Sequence, residues 1–106
     1  VAWTYLIIAG LLEVVWALLM KQSAGFTRLW PSIATIVFMI GSFVLLSFSM
    51  RSLPLGTAYV VWTGIGAIGA FLVGATLLHE PVSLLRVAAA GLIVTGLVLM
   101  KLTSAH

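Results

Sequence analysis

Four apolar runs, at roughly residues 2–20, 31–50, 55–78 and 84–102, take up most of this sequence. Each approaches the roughly 20 residues that a helix needs to cross a bilayer's hydrocarbon layer. The breaks between them carry their own local causes. Lys21, Gly25 and Arg28 separate the first two runs, and Pro31 suits the first turn of a second helix. Arg51 and Pro54 mark the next break, and His79, Glu80 and Pro81 the last, with Ser83 as a candidate N-cap. The runs lack apolar/polar alternation, and a membrane barrel needs at least about eight strands. The expectation is therefore all-α: an integral-membrane bundle of four transmembrane helices in a single domain, residues 1–106, with both termini on one side. The apolar start has no basic n-region and reads as a spanning helix, not a signal peptide.

Composition agrees. Hydrophobic residues make up 63% of the chain and charged residues 7%, where a soluble domain carries about 25% charged. Such a chain cannot cover its surface with polar groups, so lipid is its main solvent. Absence of cysteine excludes disulfides and thiolate metal sites. No nucleophile or metal-ligand constellation is present, so neither an enzyme nor a cofactor is expected. Lys21, Arg28, Arg51, Arg86 and Lys101 are single and dispersed. That pattern argues against nucleic acid and fits side chains reaching headgroups from helix ends. Loops one and three would carry Lys21, Arg28 and Arg86 on one side, against Arg51 and Lys101 on the other. That is almost no positive-inside bias, and is compatible with insertion in both orientations.

Glu13 is the anomaly. It falls near the middle of the first run, and the nearest base, Lys21, is about 12 Å farther along a helix. A lone acid at that depth costs about 2.5–3.5 kcal/mol on insertion scales. No Lys, Arg or His lies at comparable depth in any run, which removes the ordinary explanation of a structural ion pair. Glu13 must hold a proton, face water or meet a cation from outside the chain. Proton and cation then compete for one carboxylate, which suffices to couple their movements in opposite directions.

Helical spacing gathers neighbours for it. Gly10 and Ala17 flank Glu13 with small side chains, and Trp16 is one turn away on the same face. In the third run Tyr59, Trp62, Thr63 and Gly66 are expected to share a face. Ser42, near the middle of the second run with Met39 a turn earlier, is a candidate hydrogen-bond donor to a carboxylate. Aromatic faces attract a cation through the ring quadrupole. Trp3 and Trp30 fit an interfacial belt instead. Gly66, Ala70 and Gly74 repeat at four-residue spacing as a packing stripe, and Gly64 with Gly66 marks a possible bend. The fourth run has only Thr95 as a polar group at depth. Its small face of Ala88, Gly91 and Thr95 is expected to contact a second chain, because four helices of this size enclose little space.

"EVVWALLMK", "GFTRLWPS", "LPLGTAYVVWTGIGA" and "HEPVS" occur in this order. With four apolar runs in 106 residues, the chain resembles the small multidrug resistance family over essentially its whole length. It is most similar to the guanidinium exporter subtype, because Trp16 follows "EVV" where polyaromatic-cation exporters typically carry a small residue. His79 departs from the commonest pattern and reads as a loop residue. The resemblance implies an antiparallel dimer, of one chain or of two paralogues, in a bacterial inner membrane, exchanging protons for guanidinium. It further implies that Glu13 is the shared proton and substrate site. Ser42, Tyr59 and Trp62 would orient it, Trp16 would narrow the pocket, and Gly10 would give backbone clearance. The alternative is a broad exporter of quaternary ammonium and aromatic cations. A channel and a non-transporting assembly subunit are more distant rivals.

Overall fold

The computed structural model describes residues 1–103 and contains four helices: α1 (Ala2–Gln22), α2 (Leu29–Ser49), α3 (Leu55–Thr76) and α4 (Leu84–Thr103). All four are long and apolar enough to cross a membrane, and no strand occurs among the described residues. At about 1.5 Å per residue each is roughly 30 Å long, which matches the hydrocarbon thickness. The all-α expectation holds. Observed ends differ by a few residues from those read off the apolar runs, because helix caps extend into the polar breaks.

The turn after α1 is built on Ser23. Its hydroxyl donates to the Met20 carbonyl (2.6 Å) and accepts from the Phe26 amide (3.0 Å), and its own carbonyl accepts from the Thr27 amide (2.8 Å). Ala24, Gly25 and Phe26 then take three successive positive φ values of 50°, 74° and 64°. Only glycine adopts this region without strain, so the buried serine bonds must hold its two neighbours there. At the start of α4, the Ser83 hydroxyl accepts from the Arg86 amide at 3.2 Å, as an N-cap does.

The helices make an unequal bundle. α1 packs on both α2 and α3, while α4 packs on α3. The buried apolar side chains are Leu6, Ala9, Leu46, Ala58, Val61 and Trp62, together with loop residue Leu53. They come from the first half of α1, the end of α2 and the first half of α3, so the core is concentrated at the end carrying the α2–α3 loop. At that end the Lys101 ammonium stands 4.4 Å from the centroid of the Trp3 ring, tying the end of α4 to the start of α1 by cation–π attraction. α4 itself has no buried residue. The Cα framework measures 43 × 34 × 16 Å, a slab too thin to wrap a pathway on all sides.

Parallel α1 and α3 meet along a seam of small residues. Ile65 lies against Gly10, Glu13 against Gly66 and Val14 against Gly69. One turn beyond Glu13 and Gly66, Ala17 and Ala70 line a space between the two helices. Gly64 serves a different neighbour, since a Cβ there would fall 2.5 Å from Leu97 of α4. α3 runs from Leu55 to Thr76 as one helix, so the paired glycines act as packing sites on two faces.

A Cβ at Gly10 would stand 2.6 Å from Cγ2 and 2.8 Å from Cβ of Ile65. A β-branched residue in a helix has almost no alternative rotamer, so α1 and α3 must separate. Gly10→Ala is expected to cost about 1–3 kcal/mol by overpacking. Gly56→Ala meets open space and is expected to be neutral or stabilising, by up to about 1 kcal/mol. Thermal unfolding in detergent distinguishes the two.

Candidate functional site

Glu13 lies one residue past the midpoint of α1. It has no cationic partner: the salt bridge found among the described residues joins Lys21 to Glu80 at 3.7 Å. The carboxylate lies against Gly66 of α3, where any larger residue would occupy its place. Its Oε1 is buried and has no hydrogen-bond partner among the described residues. The same holds for Nε1 of Trp16, one turn along. An acceptor and a donor thus stand unpaired on one helix face. Buried polar atoms are seldom left so, and exceptions call for an explanation.

Aromatic rings form a row beside this face. Trp16 and Phe43 are 6.3 Å apart between centroids, Phe43 and Trp62 5.6 Å, and Trp62 and Tyr59 5.8 Å. Three helices contribute, and Phe43 of α2 joins the tryptophan of α1 to that of α3. Sequence reading missed Phe43. Its signal was available: it follows Ser42 directly and stands one turn beyond Met39, on the stretch of α2 already singled out.

Ser42 is fully buried and does a different job from the one expected of it. Its hydroxyl donates to the Ala9 carbonyl at 2.7 Å and accepts from Trp62 Nε1 at 3.0 Å. One side chain of α2 therefore pins α1 and α3 together, with its proton committed to the backbone and not to Glu13. Ala9 is four residues before Glu13, so its carbonyl is also the α-helical acceptor position for the Glu13 amide. Ser42 thus grips the turn of α1 that carries the carboxylate.

The expected shared face of Tyr59, Trp62, Thr63 and Gly66 divides in two. Trp62 and Gly66 are buried toward α1 and α2, whereas Tyr59 is 53% exposed and lines, with Thr63, a groove of about 620 Å³ between α3 and α4. Residues i and i+4 stay together on a helix, and here the two such pairs point to neighbouring sectors. Tyr59 reaches the row only through its contact with Trp62. Met39 is half-buried one turn before Phe43 and is joined to the cluster by helical spacing. Ala88, Gly91 and Thr95 all face outward on α4, where the Thr95 hydroxyl satisfies itself on the Gly91 carbonyl at 2.8 Å. No group of three or more metal-ligating side chains occurs among the described residues.

The geometry is that of a four-helix protein of membrane-spanning type, with an acid near the middle of α1 that has no counter-ion among the described residues. The comparisons place it more closely. The family model described as Small Multidrug Resistance protein matches residues 1–93, and the chain belongs to that family. It is 55% identical over 103 residues to a protein of Yersinia pseudotuberculosis serotype I named Guanidinium exporter, covering 97% of this chain and 99% of that one. A protein of the same name from Citrobacter freundii is 56% identical over 103 residues, covering 97% and 98%. One from Salmonella typhimurium strain LT2 is 55% identical over 105 residues, covering 99% of each.

Removing the Ser42 hydroxyl leaves Trp62 Nε1 without its acceptor. Ser42→Ala is expected to destabilise the protein by about 1–3 kcal/mol, the cost of a stranded buried donor. Ser42→Thr retains the oxygen and should lose less. The Trp62 indole proton resonance reports the same event directly, shifting upfield in the alanine variant.

Proposed function

We propose that this protein is a proton-coupled antiporter that exports guanidinium and small substituted guanidinyl cations across a bacterial inner membrane. The observation that carries this reading is the buried, unpaired Oε1 of Glu13, on the helix face that also carries Trp16, the first ring of an aromatic row drawn from three helices. The names borne by relatives at 55–56% identity point to the same cation.

The chemistry is specific. Guanidinium is flat, keeps its charge at any physiological pH and offers paired N–H donors that match the two oxygens of a carboxylate. Its faces stack on aromatic rings, which Trp16, Phe43 and Trp62 supply. A quaternary ammonium ion has no N–H to give and needs a wider space, which Trp16 restricts. Glu13 binds cation when ionised and releases it on protonation. The two ligands exclude each other at one site, so a proton gradient drives the cation outward, with alternating access carrying the site between the two sides. Ser42 and Trp62 hold the geometry, Tyr59 extends the aromatic row, and Gly10 and Gly66 give the clearance that seats the carboxylate.

A second chain completes the transporter in this reading. α4 offers its small face of Ala88, Gly91 and Thr95 without an intrachain partner, and a slab 16 Å thick does not enclose a pathway. Antiparallel pairing suits a chain whose basic residues split three against two. Two Glu13 carboxylates would then titrate as a coupled pair.

Electrical recordings from proteoliposomes test the proposal. Guanidinium is expected to evoke currents that a bulky quaternary cation does not, and Glu13→Gln should abolish them. Trp16→Gly should admit larger aromatic cations, with guanidinium transport weakened about ten-fold or more through loss of one stacking face. Currents for the quaternary cation alone would instead select the broad-exporter reading, and conduction without proton movement would select a channel.

A further inference from the structure

The α1–α3 seam does not close beyond Glu13. A cavity of about 140 Å³ opens there, lined on α1 by Val14, Ala17, Leu18 and Lys21 and on α3 by Ala70, Val73 and Gly74. Its inner end begins at the residue after Glu13. Leu78 and Glu80 of the α3–α4 loop close its outer end, where Lys21 and Glu80 pair at 3.7 Å. The chain has two acidic residues: Glu80 lines this space, and Glu13 stands one helical turn inward of Ala17, with Val14, packed on Gly69, at the inner limit of the lining. Glu13, Ala17 and Lys21 recur at four-residue spacing on α1, as do Gly66, Ala70 and Gly74 on α3, so the passage keeps one direction over about 12 Å.

The two halves of the ion pair are held differently. The Glu80 amide donates to the Gly74 carbonyl at 2.9 Å, and its carboxylate lies against Gly74, where a Cβ would displace it. His79, exposed and at φ 54°, turns the chain back to make this possible. Glu80 is therefore fixed to the end of α3, while Lys21 swings on a four-carbon stem. Both partners are about half exposed or more, at 64% and 47%, and a pair so exposed is weak and easily opened. The space behind it has room for about four waters at liquid density. Its inner walls are apolar and its outer end carries both charges, which suits a transient file of water more than a resident cluster.

We infer that the Glu13–Glu80 seam is a water path within a single chain, through which protons reach Glu13 from the side of loops one and three, and that the Lys21–Glu80 pair is its lid. This rests on the proposed role of Glu13 as the coupling group. A closed lid confines Glu13 to the side its cation-binding face opens to. An open lid lets a hydronium ion give its proton to a Glu13 oxygen and leave as water without reorientation of the transporter, so coupling fails as a proton leak.

The experiment measures proton flux into proteoliposomes with a pH-sensitive dye, under a proton gradient and without guanidinium. Glu80→Gln is expected to raise this leak several-fold while the guanidinium dissociation constant stays unchanged. The exchanged pair, Lys21→Glu with Glu80→Lys, should bring the leak back toward the native level. Ala70→Leu placed in the Glu80→Gln protein should suppress the leak by filling the cavity, and Glu13→Gln should do so by removing the group it passes through. Retained guanidinium binding shows that each variant other than Glu13→Gln is folded. A native protein that couples normally, with a Glu80→Gln leak no greater than its own, overturns the lid and leaves the antiporter reading standing. A leak that survives Ala70→Leu or Glu13→Gln overturns the path. A native protein that moves guanidinium without protons overturns the coupling reading itself.

Discussion

Close approach of α1 to α3 is the constraint on which the rest of the molecule depends. Glycines at 10, 66 and 69 let the helices meet nearly backbone to side chain, and the meeting point holds Glu13. A carboxylate at that depth is costly wherever it faces lipid. Seated on Gly66, it is withdrawn from the acyl chains without being given a cation. The same packing buries one carboxyl oxygen and leaves that oxygen unpaired among the described residues. That combination, an acid without a counter-ion and an aromatic row drawn from three helices, is what the proposed coupling role of Glu13 rests on.

Stability and mobility are divided between the two ends of the bundle. Toward the α2–α3 loop lie the buried apolar side chains, the Ser42 bonds that pin three helices, and the Lys101–Trp3 contact. Toward the α1–α2 and α3–α4 loops the seam widens into a cavity stoppered by one exposed ion pair. Local opening draws on regions with few buried contacts, so this second end is the one built to move. Glu13 stands between the two regimes, with the Ser42 grip on Ala9 one turn before it and the cavity lining reached at Ala17 one turn after it.

The fold was legible because hydropathy counts residues and a bilayer counts ångströms. Four runs of about 20 residues admit little else, and Glu13 declared itself by having no base at its depth. What the sequence withheld is where each helical face would point. Gly64 and Gly66 look equivalent as letters, yet one receives Leu97 of α4 and the other Glu13 of α1. Tyr59 and Trp62 are one turn apart, yet one opens on the α3–α4 groove and the other is buried beneath α2. Ser42 was expected to bond a carboxylate and instead bonds a backbone carbonyl. Periodicity says which residues share a face. The neighbour that face meets depends on the crossing register of separate helices, which no local rule supplies. The same gap hid Phe43, whose meaning comes from two tryptophans on other helices.

The peripheral place of α4 follows from the same geometry. Gly64 lets Leu97 settle on α3, but α4 buries no residue of its own and leaves Leu92, Ile93 and Val94 exposed. In a bilayer those side chains gain nothing by leaving lipid for another apolar surface, so association there depends on close packing of small residues and not on hydrophobicity. Ala88, Gly91 and Thr95 provide that closeness, and Thr95 has already spent its hydroxyl on its own helix. The surface is thus free of unmet polar demands and fits many registers equally well. In the proposed antiporter, an interface of that kind would hold two chains together while letting them shift, as alternating access requires.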